Sequence, residues 1–272
     1  PMSFNILYMN AMLISSDITA KLLHFSVYVL SCLGLFGLLA EYYGRRYAFL
    51  GALLFSSIPV VVNVASWAYV DLALTFFGVS SFVALDLWAR ESRVNRPAWG
   101  DGLLWASALL AGFGMGTKYN GLILFLLLLL GTVYLAQFKG KGTIRCLGYG
   151  AIFGVITLLA ASPWLVKNFV LTGNPIYPMF MNLLGGQEWQ PERLKIPGLM
   201  VRRLLYGESF LNDLLIPFKV SLSYSWNNFN VDGPLGPVFL MTLPLLILFR
   251  GKPRAVSMAG GIALVYYAFA LM

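Results

Sequence analysis

About eight long apolar stretches run through this chain, and they constrain its fold more than any other feature. They lie at residues 22–40, 47–66, 69–89, 101–117, 120–138, 146–166, 234–249 and 255–272. A helix needs about 20 apolar residues to cross the ~30 Å hydrocarbon core of a bilayer. Hydrophobic residues make up 59% of the chain and charged residues 11%, unlike a soluble domain. The sequence therefore predicts an all-α, polytopic transmembrane helical bundle.

Basic residues are concentrated in alternate links between the predicted spans. Four links together carry Arg45, Arg46, Arg90, Arg93, Arg96, Lys139, Lys141, Arg145, Arg250, Lys252 and Arg254. Of the Lys and Arg residues, only Lys118 lies in the short links on the opposite side. Because cytoplasmic loops are enriched in Lys and Arg, we expect the four basic links to face the cytoplasm. Basic loops and anionic lipid headgroups account for the net charge of +8, so no nucleic-acid partner is predicted.

The spans predict one transmembrane domain over residues 1–272, with two segments outside the bundle. Residues 1–20 are interrupted by polar side chains and are expected to form an amphipathic lead-in at the outer interface. Residues 167–233 are expected to form one large extracytoplasmic loop. The chain starts with Pro and ends within an apolar stretch, so we expect both ends to be truncated.

Proline and capping residues predict where some helices begin and end. Ser16 or Asp17 is a candidate N-cap for the first span. Pro163 is expected to kink the end of the sixth span, and residues 173–175 (Gly-Asn-Pro) to force a turn after it. The glycines Gly112 and Gly116 suit close helix packing.

Metal and cofactor sites have little support in the sequence. Cys32 and Cys146 fall in or beside different spans, so a disulfide or a metal site built from them is not expected. His24 is the only histidine and is interpreted as a satisfied core residue. No cofactor and no metal ligand is identified, and the use of a divalent metal stays open.

Asp71 and Lys118 are the first candidates for a functional site. Both are predicted at the outer ends of spans, on the same face of the membrane. An ionisable group inside a membrane span is costly unless solvated or paired, which favours a function for Asp71. The alternative is a carboxylate that stabilises a helix N-terminus. For Lys118 the alternatives are a phosphate contact and a lysine that snorkels to the interface.

Other charged residues divide between the outer loop and the cytoplasmic ends. Arg202 and Arg203 form a candidate anion-binding pair, with contact to lipid headgroups as the alternative. Glu41, Asp86 and Asp101 are interpreted as structural, and Glu41 has i,i+4 spacing to Arg45.

Four motifs in a fixed order resemble a known enzyme class. They are EYYGRRYAFLGALLFSSIP (41–59), AYVDLALTFF (68–77), GMGTKYN (114–120) and PWLVKN…TGNPIYP (163–178). Their order and spacing over about 140 residues resemble polytopic glycosyltransferases of the GT-C class. The nearest resemblance is to family 39-like enzymes related to protein O-mannosyltransferases and aminoarabinose transferases.

The resemblance implies a glycosyltransferase that moves a sugar from a polyprenyl-phosphate donor to an extracytoplasmic acceptor, in the bacterial cytoplasmic membrane. It implies substrate contacts by Asp71, Lys118, Tyr119, Lys167, Asn168, Arg202 and Arg203. Asp71 is also the candidate catalytic residue of this chain. The family's acidic catalytic residue lies in its first outer loop, which would fall upstream of Pro1, so residues 1–272 are expected to bind the donor without turning it over. The alternatives are a transporter or flippase of lipid-linked sugars and a non-catalytic membrane subunit.

Overall fold

A computed structural model describes residues 2–90, 101–140, 142–186, 214–222, 235–238, 240–242 and 254–270. This part of the chain is all-helical, with 85% of it in helices and no β-strand. The predicted all-α fold class is therefore confirmed for the described residues.

The described helices are, in chain order, α1 (Ser3–Ile14), α2 (Asp17–Tyr43), α3 (Arg45–Ser56), α4 (Pro59–Ala65), α5 (Asp71–Arg90), α6 (Gly102–Thr117), α7 (Asn120–Phe138), α8 (Thr143–Thr172), α9 (Met181–Leu184), α10 (Ile216–Leu222) and α11 (Arg254–Ala270). By length and composition, four of them can cross a membrane: α2, α5, α7 and α8. Helices α3 and α4, bent by 70° at the break between them, would make a fifth span if they act as one. The described residues thus indicate an integral membrane protein with four or five spans, and the predicted total of about eight stays a prediction.

The fourth predicted span is a short helix in the structure. The fourth, α6, has 16 residues and is about 24 Å long at the usual helical rise, short of the ~30 Å hydrocarbon core. The seventh, at 234–249, falls largely outside the described residues. The basic link at 91–100 lies outside them as well.

The helix of the sixth predicted span continues past Pro163. Helix α8 passes through this proline and ends at Thr172, six residues beyond the predicted end of the span at residue 166. Lys167 and Asn168 consequently lie within α8, where the predicted outer loop was expected to begin.

The described residues divide into two compact units, one formed by 1–56 with 64–171 and the other by 57–63 with 172–272. In the first unit, α6 packs against α1, α5 and α7, while α2 packs against α1, α3 and α5. The core includes the fully buried side chains of Trp88, Leu104 and Phe153. Helix α6 is therefore central to this unit, and its two ends determine where several polar side chains meet.

Small residues allow α5, α6 and α8 to approach closely. Ser81 and Ser107 are buried and exchange hydrogen bonds, each hydroxyl donating to the other residue's carbonyl at 2.8 Å. Thr157 Oγ1 donates to the carbonyl of Ala108 at 3.0 Å. A Cβ on Gly112 would lie 2.5 Å from both Ala160 Cβ and the Thr157 carbonyl oxygen, so α6 and α8 need glycine here. The predicted packing role of Gly112 is confirmed.

At the predicted cytoplasmic end, Asp86 is nearly buried and is the centre of a polar network. It accepts hydrogen bonds from the Tyr42 hydroxyl at 2.6 Å and from Arg90 at 2.5 Å. Glu41 lies 4.0 Å from Arg90. Glu41 and Arg45, which have i,i+4 spacing, do not lie on one helix, because α2 ends at Tyr43, its C-cap Gly44 has φ 82°, and Arg45 begins α3. The network ties α2 to α5, which supports the structural interpretation of Asp86.

The lead-in at residues 1–20 contains α1 and the first turn of α2. Ser16 is the N-cap of α2, and its backbone amide donates to Thr19 Oγ1 at 3.5 Å. Phe4 and Tyr8 of α1 are buried and contact each other edge to face. The C-terminal end of the helix is exposed instead, with Leu13 84% accessible. Helix α1 is thus anchored to the bundle by its aromatic side chains.

In the second unit, the turn predicted at residues 173–175 is present. Gly173 has φ 78°, a conformation that glycine adopts without strain. Asn174 is fully buried; its Nδ2 donates to the carbonyls of Met179 (2.9 Å) and Gly185 (3.1 Å), and its Oδ1 accepts from the Ile176 amide. One asparagine side chain therefore organises the segment that follows α8.

Candidate functional site

An ion pair between Asp71 and Lys118 lies at one end of the first unit. Asp71 is the first residue of α5, and Lys118 directly follows the last residue of α6. The Lys118 ammonium nitrogen is 2.5 Å from Asp71 Oδ1. The two side chains are 38% and 51% exposed, respectively. The structure thus brings together the two residues that the sequence singled out, in a position open to solvent or to a lipid headgroup.

Glycines make the close approach around Lys118 possible. A Cβ on Gly116 would lie 2.4 Å from the Ser3 hydroxyl, so an alanine there would require the Ser3 side chain of α1 to move. A Cβ on Gly121 would lie 2.4 Å from the carbonyl oxygen of Gly114. The tight connection from α6 to α7 therefore depends on Gly121, and it fixes the position of the Lys118 backbone.

Tyr119, Lys167 and Asn168 lie at the same end of this unit. The Tyr119 ring packs edge to face on Trp164 of α8, with centroids 5.4 Å apart. One turn further along α8, Lys167 is exposed, and its ammonium nitrogen lies 3.3 Å from the Met2 sulfur, a weak acceptor. Asn168 is the next residue and is half-buried. Lys167 is thus a second cation at this end of the unit, and it contacts the first residues of the chain.

Tyr8 is part of this region and was not predicted from the sequence. Its hydroxyl donates a hydrogen bond to the carbonyl of Tyr69, two residues before Asp71. Burial raises the pKa of the Tyr8 phenol, and the negative charge of Asp71 raises that pKa further. Tyr8 therefore stays a protonated donor and holds the segment before α5. One sequence signal could have indicated this role of Tyr8. It is the i,i+4 spacing of the aromatic residues Phe4 and Tyr8 in the predicted amphipathic lead-in.

His24 is fully buried, as the sequence indicated. Neither ring nitrogen makes a hydrogen bond of good geometry within the described part of the chain. The Tyr8 ring lies edge-on at 6.3 Å between centroids, and the backbone of Val64 and Trp67 faces the imidazole. The histidine lies under the segment that joins α4 to α5.

A cavity of about 470 Å³ opens over the same segment. It is lined by Lys21, Ser66, Trp67, Ala68 and Tyr69. Its volume falls in the range of roughly 300–1,000 Å³ that is usual for small-molecule sites. This cavity could not be predicted from the sequence, because two helices separate Lys21 from the other lining residues along the chain.

Other candidates are not placed by the structure. Arg202 and Arg203 lie outside the described residues, as does most of the predicted extracytoplasmic loop. In the ranges that the structure describes, no three His, Cys, Asp or Glu side chains are close enough to hold a metal ion. Among the described residues, the candidate site therefore consists of Asp71 and Lys118, with Tyr119 and Lys167 at the same end of the unit.

No protein-family model, no curated protein and no solved structure matches this chain. The resemblance to glycosyltransferases thus rests on the order and spacing of the four motifs. The geometry at the ends of α5 and α6 is an independent source of information on function.

Proposed function

We propose that this protein is a membrane glycosyltransferase that moves a sugar from a polyprenyl-phosphate donor to an extracytoplasmic acceptor. The observation that carries the proposal is the accessible Asp71–Lys118 ion pair, with Lys167 at the same end of an apolar helical unit. Two of the four motifs meet in this pair, because Asp71 belongs to the second and Lys118 to the third.

The chemistry of a lipid-phosphate donor fits this arrangement. The polyprenyl tail lies in the bilayer, which leaves the phosphate at headgroup level near exposed lysines at a helix end. An ammonium group has three N–H donors, so Lys118 can keep one hydrogen bond to Asp71 and give two to phosphate oxygens. As the bond to the sugar breaks, negative charge grows on the departing phosphate, and fixed cations stabilise it. We assign this role to Lys118 and Lys167, with Arg202 and Arg203 as further proposed contacts.

Asp71 has a positioning role in this proposal. Its carboxylate accepts a hydrogen bond from Lys118, which directs the ammonium group. The acceptor must lose a proton during transfer, and a positioned base contributes about 10²–10⁴-fold to such a step. The resemblance assigns that base to an acidic residue of the family's first outer loop.

Binding and transfer can be measured separately with the full-length protein in lipid nanodiscs. Geranyl phosphate serves as the binding probe, since it has the phosphate and a short prenyl chain. Lys118→Ala should weaken its binding by roughly 1.5–3 kcal/mol, the usual contribution of a hydrogen bond to a charged group. Arg46→Ala removes an exposed cation from the predicted opposite face and is the matched control, for which affinity should not change.

Transfer is then followed with a radiolabelled polyprenyl-phosphate sugar fraction. A glycosyltransferase releases labelled sugar from lipid, and Lys118→Ala should slow this release. In sealed proteoliposomes, movement of intact labelled lipid between leaflets without release would identify a flippase instead. If neither occurs and Lys118→Ala binds geranyl phosphate like the wild type, the charges at these helix ends are structural and the proposal is wrong.

A further inference from the structure

We propose that the cavity lined by Lys21, Ser66, Trp67, Ala68 and Tyr69 binds the pyranose ring of a sugar. This inference deepens the proposed function, because it names the part of the substrate that lies beside the phosphate site. Its first support is the aromatic pair Trp67 and Tyr69. Its second support is the ion pair of Lys21 with Asp17, whose two charges cancel.

Trp67 and Tyr69 present a broad aromatic surface to the cavity. Their ring centroids are 5.3 Å apart, the rings are inclined by 39°, and the side chains are 49% and 46% exposed. Pyranose rings have an apolar face of C–H groups, and an aromatic ring packs well against such a face while leaving the hydroxyls free. Tyr and Trp also combine an apolar body with a polar end that can bind a hydroxyl.

Lys21 and Asp17 supply the polar groups. The Lys21 ammonium is 2.8 Å from Asp17 Oδ2, and both side chains are well exposed. An ammonium donates and a carboxylate accepts, so the pair can bind neighbouring hydroxyls in both directions. Because the two charges cancel, this pair favours a neutral polyol over an anion.

The cavity and the phosphate site are close along the chain and share one scaffold. Tyr69 lines the cavity, its carbonyl accepts the Tyr8 hydrogen bond, and Asp71 begins α5 two residues later. A ligand with a sugar joined to a phosphate could therefore contact both places. Exposed Trp and Tyr residues also occur as interfacial anchors of membrane helices, which is the competing explanation for this pair.

Saturation-transfer NMR on the full-length protein in nanodiscs tests the cavity without requiring turnover. The probes are methyl α-D-mannopyranoside, methyl α-D-glucopyranoside, methyl α-D-galactopyranoside and methyl β-L-arabinopyranoside. At least one should receive saturation on its ring C–H protons. Trp67→Ala and Tyr69→Ala should each weaken its binding about tenfold, in line with the loss of an aromatic contact. Trp105→Ala is the matched control, because Trp105 is similarly exposed (41%) and lies on α6 away from the cavity.

Glycosyl 1-phosphates distinguish whether the cavity binds the sugar of the donor or a sugar of the acceptor. If the cavity holds the donor's sugar, the 1-phosphate of the bound sugar binds more tightly than its methyl glycoside, and Lys118→Ala removes that advantage. Equal binding of the two compounds assigns the cavity to a sugar of the acceptor.

Two results would overturn the inference. One is that none of the pyranosides receives saturation above the level seen with Trp67→Ala. The other is sugar transfer by the full-length protein whose KM values for donor and acceptor are unchanged in Trp67→Ala and Tyr69→Ala; the proposed function would then stand and the aromatic pair would be a membrane anchor. Pyranoside binding that depends on Trp67, without any transfer, would keep the inference and contradict the enzymatic proposal.

Discussion

Lys118 and Asp71 are 47 residues apart in the sequence, yet a 2.5 Å contact between Nζ and Oδ1 joins them at the ends of α6 and α5. Both residues stay partly exposed. Such a pair contributes little to stability, since water screens it, but it fixes the direction in which the ammonium points. The effect of the pair on stability can therefore be measured separately from its effect on phosphate binding.

A double-mutant cycle with Asp71→Asn and Lys118→Ala should give a coupling free energy of about 0.2–1 kcal/mol in thermal unfolding, the range for exposed ion pairs. Asp71→Asn should leave the protein folded and reduce turnover. In geranyl phosphate binding, Lys118→Ala should lower affinity in both the wild-type and the Asp71→Asn background. A purely structural pair would behave differently, because Lys118→Ala would then leave phosphate affinity unchanged in both backgrounds.

The orientation in the membrane can be tested with introduced cysteines. In a background of Cys32→Ser and Cys146→Ala, we expect Ser66→Cys to react with an impermeant maleimide in whole cells. Gly142→Cys, in the link after α7, should react only after the cells are permeabilised. Both positions are exposed, so accessibility within the protein does not limit labelling. The reverse pattern would refute the orientation derived from the basic links.

Tyr8→Phe removes the hydrogen bond to the Tyr69 carbonyl and should lower the free energy of unfolding by about 0.5–1.5 kcal/mol. Because the pKa of Tyr8 is raised in the folded protein, the unfolded chain loses this proton first as the pH rises. The stability that Tyr8 contributes is therefore complete below the ordinary tyrosine pKa of about 10 and declines above it. Unfolding of both proteins in detergent at pH 7 and pH 10.5 measures this. The assignment would be contradicted if the difference in free energy of unfolding between the wild type and Tyr8→Phe were larger at pH 10.5 than at pH 7.

Gly112→Ala should destabilise the first unit by about 1–3 kcal/mol, the usual cost of an overpacked helix contact. The added methyl group would lie 2.5 Å from Ala160 Cβ and from a backbone oxygen of Thr157, so α6 and α8 must move apart. Gly148→Ala in α8 is the control, because nothing lies within 4 Å of its added Cβ. It should be neutral or slightly stabilising through its helix propensity. Equal thermal stability of the two variants would show that the contact does not limit packing.

Several features could be predicted from local sequence because their causes are local. Long apolar runs predict helices in a bilayer, and the described chain is all-helical. Gly173 and Asn174 predict a turn, since glycine tolerates positive φ and the asparagine side chain bonds to its own loop. Pro163 does not mark the end of a helix, because α8 continues through it to Thr172.

The sequence by itself determined the helical composition, the positions of α5 and α7, and the presence of Asp71 and Lys118 at helix ends. Only the tertiary structure decided which residues lie next to those helix ends. Helices α5 and α6 run side by side, so the start of one and the end of the other coincide, and the two charges pair. The cavity beside Trp67 exists because α2 brings Lys21 to a segment 45 residues away. Contacts of this kind depend on helix packing, which is set by side chains distributed along the whole chain, and no local pattern encodes it.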